Sequence, residues 1–302
     1  MDILLNSDLP ATEIKSIKRH DFHNLNKLAL QYDYIEDGCV IIENIVEPDF
    51  IAEMHDRLIV LFTEIICAER LDFNNTDNLD ILHQRILQIS SERAESLLGI
   101  GRDFPAFFKL ISSPNIMTLI QALFETKEIQ MVFDTCAMRI DRPYFDRTNL
   151  DWHQDYPYNM QAVNTATAWI PLLPVTETMG SLKVILGSNK HILPIVYRTE
   201  TKKQHFNAKY IEIAHINQLR DQFEADGVVV PTIQPGSLIL LHALTIHRSG
   251  QNHSDRSRWV ALSRYSPFMD SAVYKRNWFT SRSKYPDIFR NYHPDLFSES
   301  SE

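Results

Sequence analysis

The sequence predicts an antiparallel β-sandwich or β-barrel that is preceded by a helical region. Two observations support this fold class: helical apolar spacing dominates the first 125 residues, and short β-type segments separated by proline and glycine follow. The later segments do not alternate with helical patterns, which argues against a parallel βαβ sheet. We therefore expect a mainly β protein with a helical buttress.

The first predicted elements are a strand and an amphipathic helix. Asp37-Gly38 predicts a turn, residues 39–46 read as a β-rich segment, and Pro48 is typical of the first turn of a helix. The apolar residues that keep helical spacing after this proline are Ile51, Met54, Leu58, Leu61, Phe62 and Ile65. One face of the helix is therefore expected to pack on the rest of the protein.

Two further helical patterns complete the first part of the chain. One runs from about Ile81 to Leu98 and is expected to stop at Gly99. The other, "PAFFKLISSPNIMTLIQALF", is expected to be interrupted at Ser113-Pro114, since proline cannot continue a helix.

The β-type segments predict the core of the fold. They are "IQMVFDTCAMRI", "VNTATAWIPLLPV", "SLKVILG", "VVVPTIQPG", "SLILLHALTIH" and "RWVALSRYSPF". The chain contains neither an internal repeat nor a linker rich in proline, glycine and serine. We therefore predict one domain over residues 1–302, with a helix-rich part at 1–125, a β-core at about 128–268 and a C-terminal extension at 269–302.

Composition limits the class of protein. The chain has 302 residues, of which 44% are hydrophobic and 23% charged, as in ordinary globular proteins. The first ten residues lack a basic targeting region and no apolar segment approaches the roughly 18 residues of a membrane span, so we expect a cytoplasmic protein without a membrane partner. A net charge of −9 argues against nucleic acid as a partner, and three widely spaced cysteines indicate reduced thiols.

The segment "DWHQDYPYN", residues 151–159, is the first candidate site. His153 and Asp155 are two residues apart, so an extended strand would direct both side chains to the same face. An imidazole and a carboxylate that converge in this way suit a divalent metal, provided that a third ligand comes from elsewhere in the chain.

The third ligand is sought in residues 235–268, where a strand carries His242 and His247. Because the two histidines are five residues apart, a regular strand would direct them to opposite faces, and only one of them could easily join the first pair. Arg258 follows eleven residues after His247. Two histidines and one carboxylate form the facial triad that leaves coordination positions open on a non-haem Fe(II).

Together these segments resemble the phytanoyl-CoA hydroxylase family of oxygenases, which depend on Fe(II) and 2-oxoglutarate. The blocks that carry the resemblance occur in family order between residues 128 and 268: "AMRIDRP", "HQD", "AWIPL", "MGSLKVILGSNK" and "HALTIHRSGQN". The family folds as a double-stranded β-helix, a jelly roll related to the cupins. The resemblance therefore implies this fold for the β-core.

The resemblance also implies roles for individual residues. His153, Asp155 and His247 would hold the metal, because the family uses the second histidine of the "HALTIH" segment. Arg258 would pair with the C5 carboxylate of 2-oxoglutarate, a contact that suits a planar guanidinium. Three further residues match family positions around the cosubstrate: Ser249 as a hydroxyl donor to the same carboxylate, and Met138 and Trp169 as lining residues.

The chain departs from the family pattern at two places. Arg248 stands where a small residue is common, and "GSNK" replaces the usual Gly-Ser-His. Asp155 is intact, whereas halogenating relatives replace that carboxylate with a small residue, so halogenation is disfavoured. Two other functions suit the same triad: a cupin-like metal-dependent hydrolase or isomerase, and a non-catalytic binding protein on the same fold. The 2-oxoglutarate anchor argues against the first alternative, and the complete ligand set argues against the second.

The resemblance implies that O2 and 2-oxoglutarate are consumed to hydroxylate a C–H bond of a small-molecule substrate. Desaturation or epoxidation would need the same iron site, so the sequence leaves the outcome open. Residues 251–290 carry eight Lys and Arg but only three acids. We therefore expect an anionic group on the substrate, with Arg276 and Arg282 as its candidate partners, although a solvated basic surface has the same composition.

Overall fold

The computed structural model describes residues 16–72, 74, 77–131, 133–145, 150–197, 211–212, 218–278 and 287–299. The helices are α1 (Lys27–Asp37), α2 (Pro48–Ala68), α3 (Leu79–Ile89), α4 (Ser91–Gly101), α5 (Pro105–Ile111), α6 (Pro114–Phe124), α7 (Tyr156–Asn159), α8 (Arg220–Asp226), α9 (Ser271–Lys275) and α10 (Asp287–Tyr292). The strands are β1 (Lys18–Asp21), β2 (Cys39–Glu43), β3 (Ile129–Met131), β4 (Ala137–Asp141), β5 (Ala166–Pro171), β6 (Leu182–Val184), β7 (Ile195–Tyr197), β8 (Ile211–Glu212), β9 (Val228–Val229), β10 (Leu238–His242), β11 (His247–Ser249), β12 (Arg258–Pro267) and β13 (Phe297–Glu299).

Helix α2 forms as the sequence predicts. Pro48 occupies its first turn, where the missing N–H costs no hydrogen bond. The buried side chains follow helical spacing along one face: Ile51, Met54, Leu58, Phe62 and Ile66. The predicted break at Ser113-Pro114 is also confirmed, because α5 ends at Ile111 and α6 begins at Pro114.

The helix predicted from Ile81 to Leu98 is two helices. Ser90 has an extended backbone (φ −162°, ψ 118°), and its side chain caps α4 by accepting a hydrogen bond from the N–H of Arg93. Apolar spacing passes through this break because both helices bury their apolar side chains in the same core, including Ile86 and Leu97. A serine at a helix N-terminus stabilises the break.

Gly38 makes the predicted turn between α1 and β2. Its φ of +71° ends α1 in the left-handed conformation, and its N–H donates to the carbonyl of Tyr34. A Cβ at this position would lie 2.3 Å from Oγ1 of Thr245. Only glycine fits here, because the turn packs directly against the segment that connects β10 to β11.

A seven-stranded sheet carries most of the long strands. In the part of the chain described, its strands lie in the order β1-β2-β10-β5-β12-β3, and β4 also pairs with β12. The outer face, which includes Trp259, Ala261 and Tyr265 of β12, shares one apolar core with helices α1 to α6. Val260 and Leu262 alternate with these residues and face the inside of the fold.

A second sheet lies across the inner face. It contains β11, β6 and β9, and the apolar cluster between the two sheets joins Trp169 and Leu262 of the large sheet to Leu182 and Val184 of the small one. Parallel pairing of β13 with β7, and antiparallel pairing of β7 with β8, forms a third, peripheral sheet. The inner space between the first two sheets is the region that receives the candidate site.

Helices occupy more of the described chain than strands do, so the expectation of a mainly β protein underestimates the buttress. Apart from the ten-residue β12, the described strands have two to six residues, whereas α2 alone has 21. Among the described residues, no single helix has the length and apolar composition to cross a membrane, although the bent pair Pro105–Ile111 and Pro114–Phe124 passes that test as a unit.

Candidate metal centre

Three separate segments meet at the candidate metal centre. His153 and His247 form an isolated antiparallel bridge, with a backbone N–H donated in each direction at 3.0 Å. Asp155 is not extended as the sequence reasoning assumed: its backbone is helical (φ −69°, ψ −29°) and it directly precedes α7. The bridge and this turn, rather than a regular strand, bring His153 and Asp155 to the same side.

The geometry brings together the three predicted ligands. His153, Asp155 and His247 are buried, and one potential ligand atom from each lies within 4.8 Å of the others. The two imidazole rings are 4.3 Å apart between centroids, and Nε2 of His153 lies 3.8 Å from Oδ1 of Asp155. Within the described ranges, this is the only group of three or more His, Cys, Asp or Glu residues that could hold a metal ion.

Both imidazoles present Nε2 to the centre. Nδ1 of His153 lies 2.7 Å from the carbonyl of Asp151, and Nδ1 of His247 lies 2.9 Å from the carbonyl of Thr245. A carbonyl accepts a hydrogen bond, so Nδ1 carries the proton and Nε2 has a free lone pair. Burial, with a smaller contribution from His247, lowers the pKa of His153 to about 3, which keeps it neutral as a metal ligand requires.

Asp155 is held as a carboxylate by its neighbours. Oδ2 accepts a hydrogen bond from Oγ1 of Thr167 at 2.7 Å, and the guanidinium of Arg264 lies 3.3 Å from both carboxylate oxygens. Burial alone would raise the pKa of Asp155, but Arg264, the two histidines and Thr167 together hold that pKa well below its usual range.

His242, the alternative third ligand, lies elsewhere. It ends β10, and its Nδ1 accepts a hydrogen bond from the N–H of Leu244 while its ring packs 5.5 Å from that of Tyr34. The chain turns between His242 and His247, because the N–H of Thr245 donates to the carbonyl of His242. The two histidines therefore lie on strands of different sheets, which the argument from one regular strand did not foresee.

Arg258 lies on the inner face of β12, where it is 1% exposed. Its Nε and Nη2 donate to Oδ2 of Asp141, at 3.2 and 2.9 Å. Within the described part of the chain, its Nη1 is buried and has no hydrogen-bond partner. A buried donor without an acceptor is costly, so this nitrogen fits a carboxylate ligand.

The other predicted cosubstrate residues fall on two different faces. By strand alternation Ser249 faces the same side as His247, and Trp169 belongs to the apolar cluster between the sheets. Met138 is a correction: it faces the helices, where Gly101 of α4 leaves room for its side chain. On β4 the inner face belongs instead to Arg139 and Asp141, which register opposite Val260 and Arg258.

The structure also bears on Arg276, which is predicted to bind an anionic substrate group. Arg276 is buried at 3% exposure, and its Nη2 donates to the carbonyls of Met160 and Gln161 directly after α7. It holds the loop that follows Asp155 rather than presenting charge to solvent. Arg282 lies outside the described residues.

Arg248, one departure from the family pattern, faces away from the centre. Its Nη2 lies 2.9 Å from Oε2 of Glu224 in α8, and its guanidinium stacks over the ring of Trp152 at 5.3 Å. Glu224 also pairs with Lys183 of β6 at 3.0 Å. This network fastens α8 to β6 and β11 and to the segment that carries His153.

Sequence reasoning missed four polar residues on the inner face: Arg139, Asp141, Thr167 and Arg264. A signal was present, because Arg139 and Asp141 alternate in a strand whose other residues are mostly apolar. Arg258 and Arg264 likewise share the parity of Val260 and Leu262. The partners of these residues come from distant strands, so alternation alone does not identify them.

A model of the phytanoyl-CoA dioxygenase (PhyH) family matches residues 34–260. The chain belongs to this family. Its members are non-haem iron oxygenases that use 2-oxoglutarate, so this chain is an enzyme of that class with Fe(II) and 2-oxoglutarate as cofactors. The site described above has the donor set that these cofactors require.

Relatives with curated names span the same chain. Phytanoyl-CoA dioxygenase domain-containing protein 1 homologs of Caenorhabditis briggsae and Caenorhabditis elegans are 21% and 20% identical, covering 86% and 87% of this chain and 99% of their own. Ectoine dioxygenase of Halomonas elongata is 25% identical over 132 residues, 41% of this chain and 40% of its own.

Solved structures share the fold. EctD from S. alaskensis with bound Fe superposes with a TM-score of 0.51 at 17% identity, covering 79% of this chain and 75% of its own. The epimerase SnoN in complex with Fe3+ and alpha ketoglutarate has a TM-score of 0.50 at 15% identity, covering 79% of this chain and 82% of its own. At this identity the likeness is one of fold.

Proposed function

We propose that this oxygenase hydroxylates a C–H bond of a small organic substrate, with Fe(II) held by His153, Asp155 and His247 and 2-oxoglutarate held by Arg258. The observation that carries the proposal is the combination of a buried triad, whose Nε2 atoms converge on one carboxylate, with an unpaired guanidinium nitrogen on the same inner surface. Bound iron would supply O2 activation coupled to decarboxylation of 2-oxoglutarate to succinate and CO2.

The architecture proposed with this function is a double-stranded β-helix. The large and small sheets face each other across an apolar cluster, as this fold requires. The outer face of the large sheet shares its core with the helices, which supports a single domain over residues 1–302. The cytoplasmic location stays a prediction.

The chain itself contributes binding, orientation and exclusion of water. Arg258 and Ser249 would bind the C5 carboxylate, and Trp169 with its apolar neighbours keeps water from the inner space. The carbonyls of Asp151 and Thr245 orient the two imidazoles, so their Nε2 lone pairs are fixed before a metal arrives.

The two alternative functions make different demands on Arg258. A cupin-like hydrolase or isomerase at the same triad has no carboxylate for Nη1 to bind, and a non-catalytic binding protein has no need of a complete ligand set. The buried, unpaired Nη1 therefore favours the oxygenase among the three.

We also propose that the substrate carries an anionic group, although not one that Arg276 binds through Nη2. Nη2 of Arg276 is occupied by two carbonyls and its side chain is buried, so we propose that the anion meets other, more exposed cations. Measured turnover with carboxylated and neutral substrate analogues at low and high salt tests this point, since screening weakens contacts between exposed charges.

The test of the function is anaerobic binding. Protein mixed with Fe(II) and 2-oxoglutarate should develop the weak visible band of a keto acid chelated to iron, and His153→Ala and His247→Ala should abolish it. His242→Ala is the matched control, because His242 is buried on the neighbouring strand but faces Tyr34 and Leu244.

Folded wild-type protein that gives no band would overturn the assignment. Loss of the band in His242→Ala with its retention in His247→Ala would show that the wrong histidine was assigned.

A further inference from the structure

Arg264 is a second arginine on the inner face of β12. It registers directly opposite Thr167 of β5, six residues along the strand from Arg258. Its side chain is 13% exposed, and that of Asp155 is 6% exposed. Arg264 therefore lies beside the carboxylate ligand, whereas Arg258 lies beside Asp141.

The two carboxylate oxygens of Asp155 have different contacts. Oδ2 receives the Thr167 hydroxyl at 2.7 Å and both Nε and Nη2 of Arg264 at 3.3 Å. Among the described residues, Oδ1 receives a hydrogen bond from Nη2 of Arg264 alone, at 3.3 Å, and it is the oxygen that lies 3.8 Å from Nε2 of His153. Oδ2 is thus occupied on the side of the sheet, and Oδ1 faces the imidazole of His153.

Both groups that hold Oδ2 are themselves fixed. Nη1 of Arg264 donates to the carbonyl of Thr135, in the turn between β3 and β4. Thr167 is the second residue of β5, and its backbone is paired with β10 on one side and β12 on the other. A carboxylate held by two rigid donors loses the freedom to rotate about its last torsion.

We propose that Arg264 and Thr167 are positioning residues that reserve Oδ2 of Asp155, so that this carboxylate binds the metal through Oδ1 alone. The inference rests on the proposed function and deepens it. Carboxylates bind metals through one or two oxygens, and a second bound oxygen would take a coordination position. Binding through one oxygen would leave open coordination positions on bound iron for 2-oxoglutarate and O2.

This role differs from simple support of the metal. Partners of metal ligands that only orient them lower metal affinity when removed, typically 10- to 100-fold. Release of Oδ2, in contrast, adds a donor atom and removes a positive charge near the metal. Metal affinity should then hold or rise, while 2-oxoglutarate must compete with Oδ2 for its position.

The experiment measures two equilibria on the full-length protein under anaerobic conditions: Co(II) binding alone, and 2-oxoglutarate binding to the Co(II)-loaded protein. In Arg264→Gln we expect Co(II) affinity within about threefold of wild type or tighter, and 2-oxoglutarate affinity at least about 10-fold weaker. The visible d–d bands of Co(II) alone should change in intensity, because the number of donor atoms changes. Thr167→Val should change the Co(II) affinity, the 2-oxoglutarate affinity and the Co(II) bands in the same directions as Arg264→Gln, but by less. Arg264→Lys should retain part of the 2-oxoglutarate affinity that Arg264→Gln loses.

Arg248→Gln is the matched control, because Arg248 adjoins a ligand but pairs with Glu224 outside the inner space. It should leave both affinities and the Co(II) bands unchanged. Parallel loss of Co(II) and 2-oxoglutarate affinity in Arg264→Gln and Thr167→Val, or unchanged 2-oxoglutarate affinity, would overturn the positioning role. Wild-type protein that binds Co(II) but no 2-oxoglutarate would instead overturn the proposed function.

Discussion

Two buried pairs of arginine and aspartate lie on the inner face of β12, and they differ in what their donors have left to bind. Nε and Nη2 of Arg258 donate to Asp141, whereas its Nη1 has no hydrogen-bond partner within the described residues. Arg264 directs Nε and Nη2 to Asp155 and Nη1 to the carbonyl of Thr135. The first pair can accept another anion, and the second pair is saturated.

Because the two arginines differ in their remaining donors, residue type and burial alone do not determine the role of a charged pair. Asp141 also receives Nη2 of Arg139 at 2.8 Å, so two guanidiniums surround one carboxylate at the end of the strand that carries Arg258. At the other end, Arg264 faces a carboxylate whose remaining oxygen lies 3.8 Å from the imidazole of His153. Excess positive charge suits a dianionic cosubstrate, whereas a matched charge suits a metal ligand.

The largest effect should come from breaking the pair at Asp141. Asp141→Asn removes the charge that compensates Arg139 and Arg258, and loss of one partner of a buried pair costs about 3–5 kcal/mol. Urea unfolding at pH 7 measures this loss. The control is Glu43→Gln at the exposed pair with Arg19, for which we expect about 1 kcal/mol or less. Equal effects of the two substitutions would mean that burial of the Asp141 pair has no energetic consequence.

The next-largest effect tests whether Arg258, unlike Arg264, acts on 2-oxoglutarate without affecting the metal. Arg258→Ala should weaken 2-oxoglutarate binding to the Co(II)-loaded protein by about 2–5 kcal/mol, because a desolvated carboxylate loses its charge partner. Co(II) affinity and the Co(II) bands without 2-oxoglutarate should match wild type, since Arg258 touches no ligand of the metal. Arg258→Lys should rescue only part of the loss, because lysine lacks the planar fork.

Loss of Co(II) binding in Arg258→Ala would place this residue in a structural role. The remaining contact of Arg139 with Asp141 keeps that carboxylate paired in the variant, so the experiment does not leave a bare buried charge.

The smallest effect concerns the pH dependence of stability, which we assign to a buried histidine and not to either arginine–aspartate pair. Burial, with a smaller contribution from Arg142, lowers the pKa of His83 to about 4, whereas in the unfolded chain it titrates near the reference value of about 6.5. The free energy of unfolding therefore falls as the pH drops from 6.5 toward 4, because the unfolded state takes up a proton on His83 and the folded state does not. Above pH 6.5 His83 is neutral in both states, and no stability is lost. At pH 5 the loss for one such histidine is about 2 kcal/mol.

His83→Leu should therefore flatten the fall in unfolding free energy between pH 7 and pH 5, as measured by urea titrations at each pH. Asp141 and Asp155 stay ionised throughout this window, because their neighbours hold both pKa values well below the usual range despite burial. An unchanged slope in the variant would assign the acid sensitivity to other groups.

Much of this protein follows from short stretches of the sequence. The Asp37-Gly38 turn, the start of α2 at Pro48 and the break before Pro114 depend on local chemistry, and each appears where it is predicted. The resemblance also predicted His153, Asp155 and His247 as ligands, and the fold brings these three side chains together.

Other features required the folded chain. Alternation along β4 and β12 predicts which residues share a face, but not which face meets the helices, so Met138 was placed on the wrong side. Composition likewise predicts that Arg276 binds a substrate anion, whereas its side chain is buried and donates to the carbonyls after α7. The partners of Arg258 and Arg264 come from strands more than 100 residues away in the chain. Sequence determined the donors and acceptors that this protein carries; packing of distant strands decided which of them meet, because contact depends on the pairing and register of segments that no local pattern encodes.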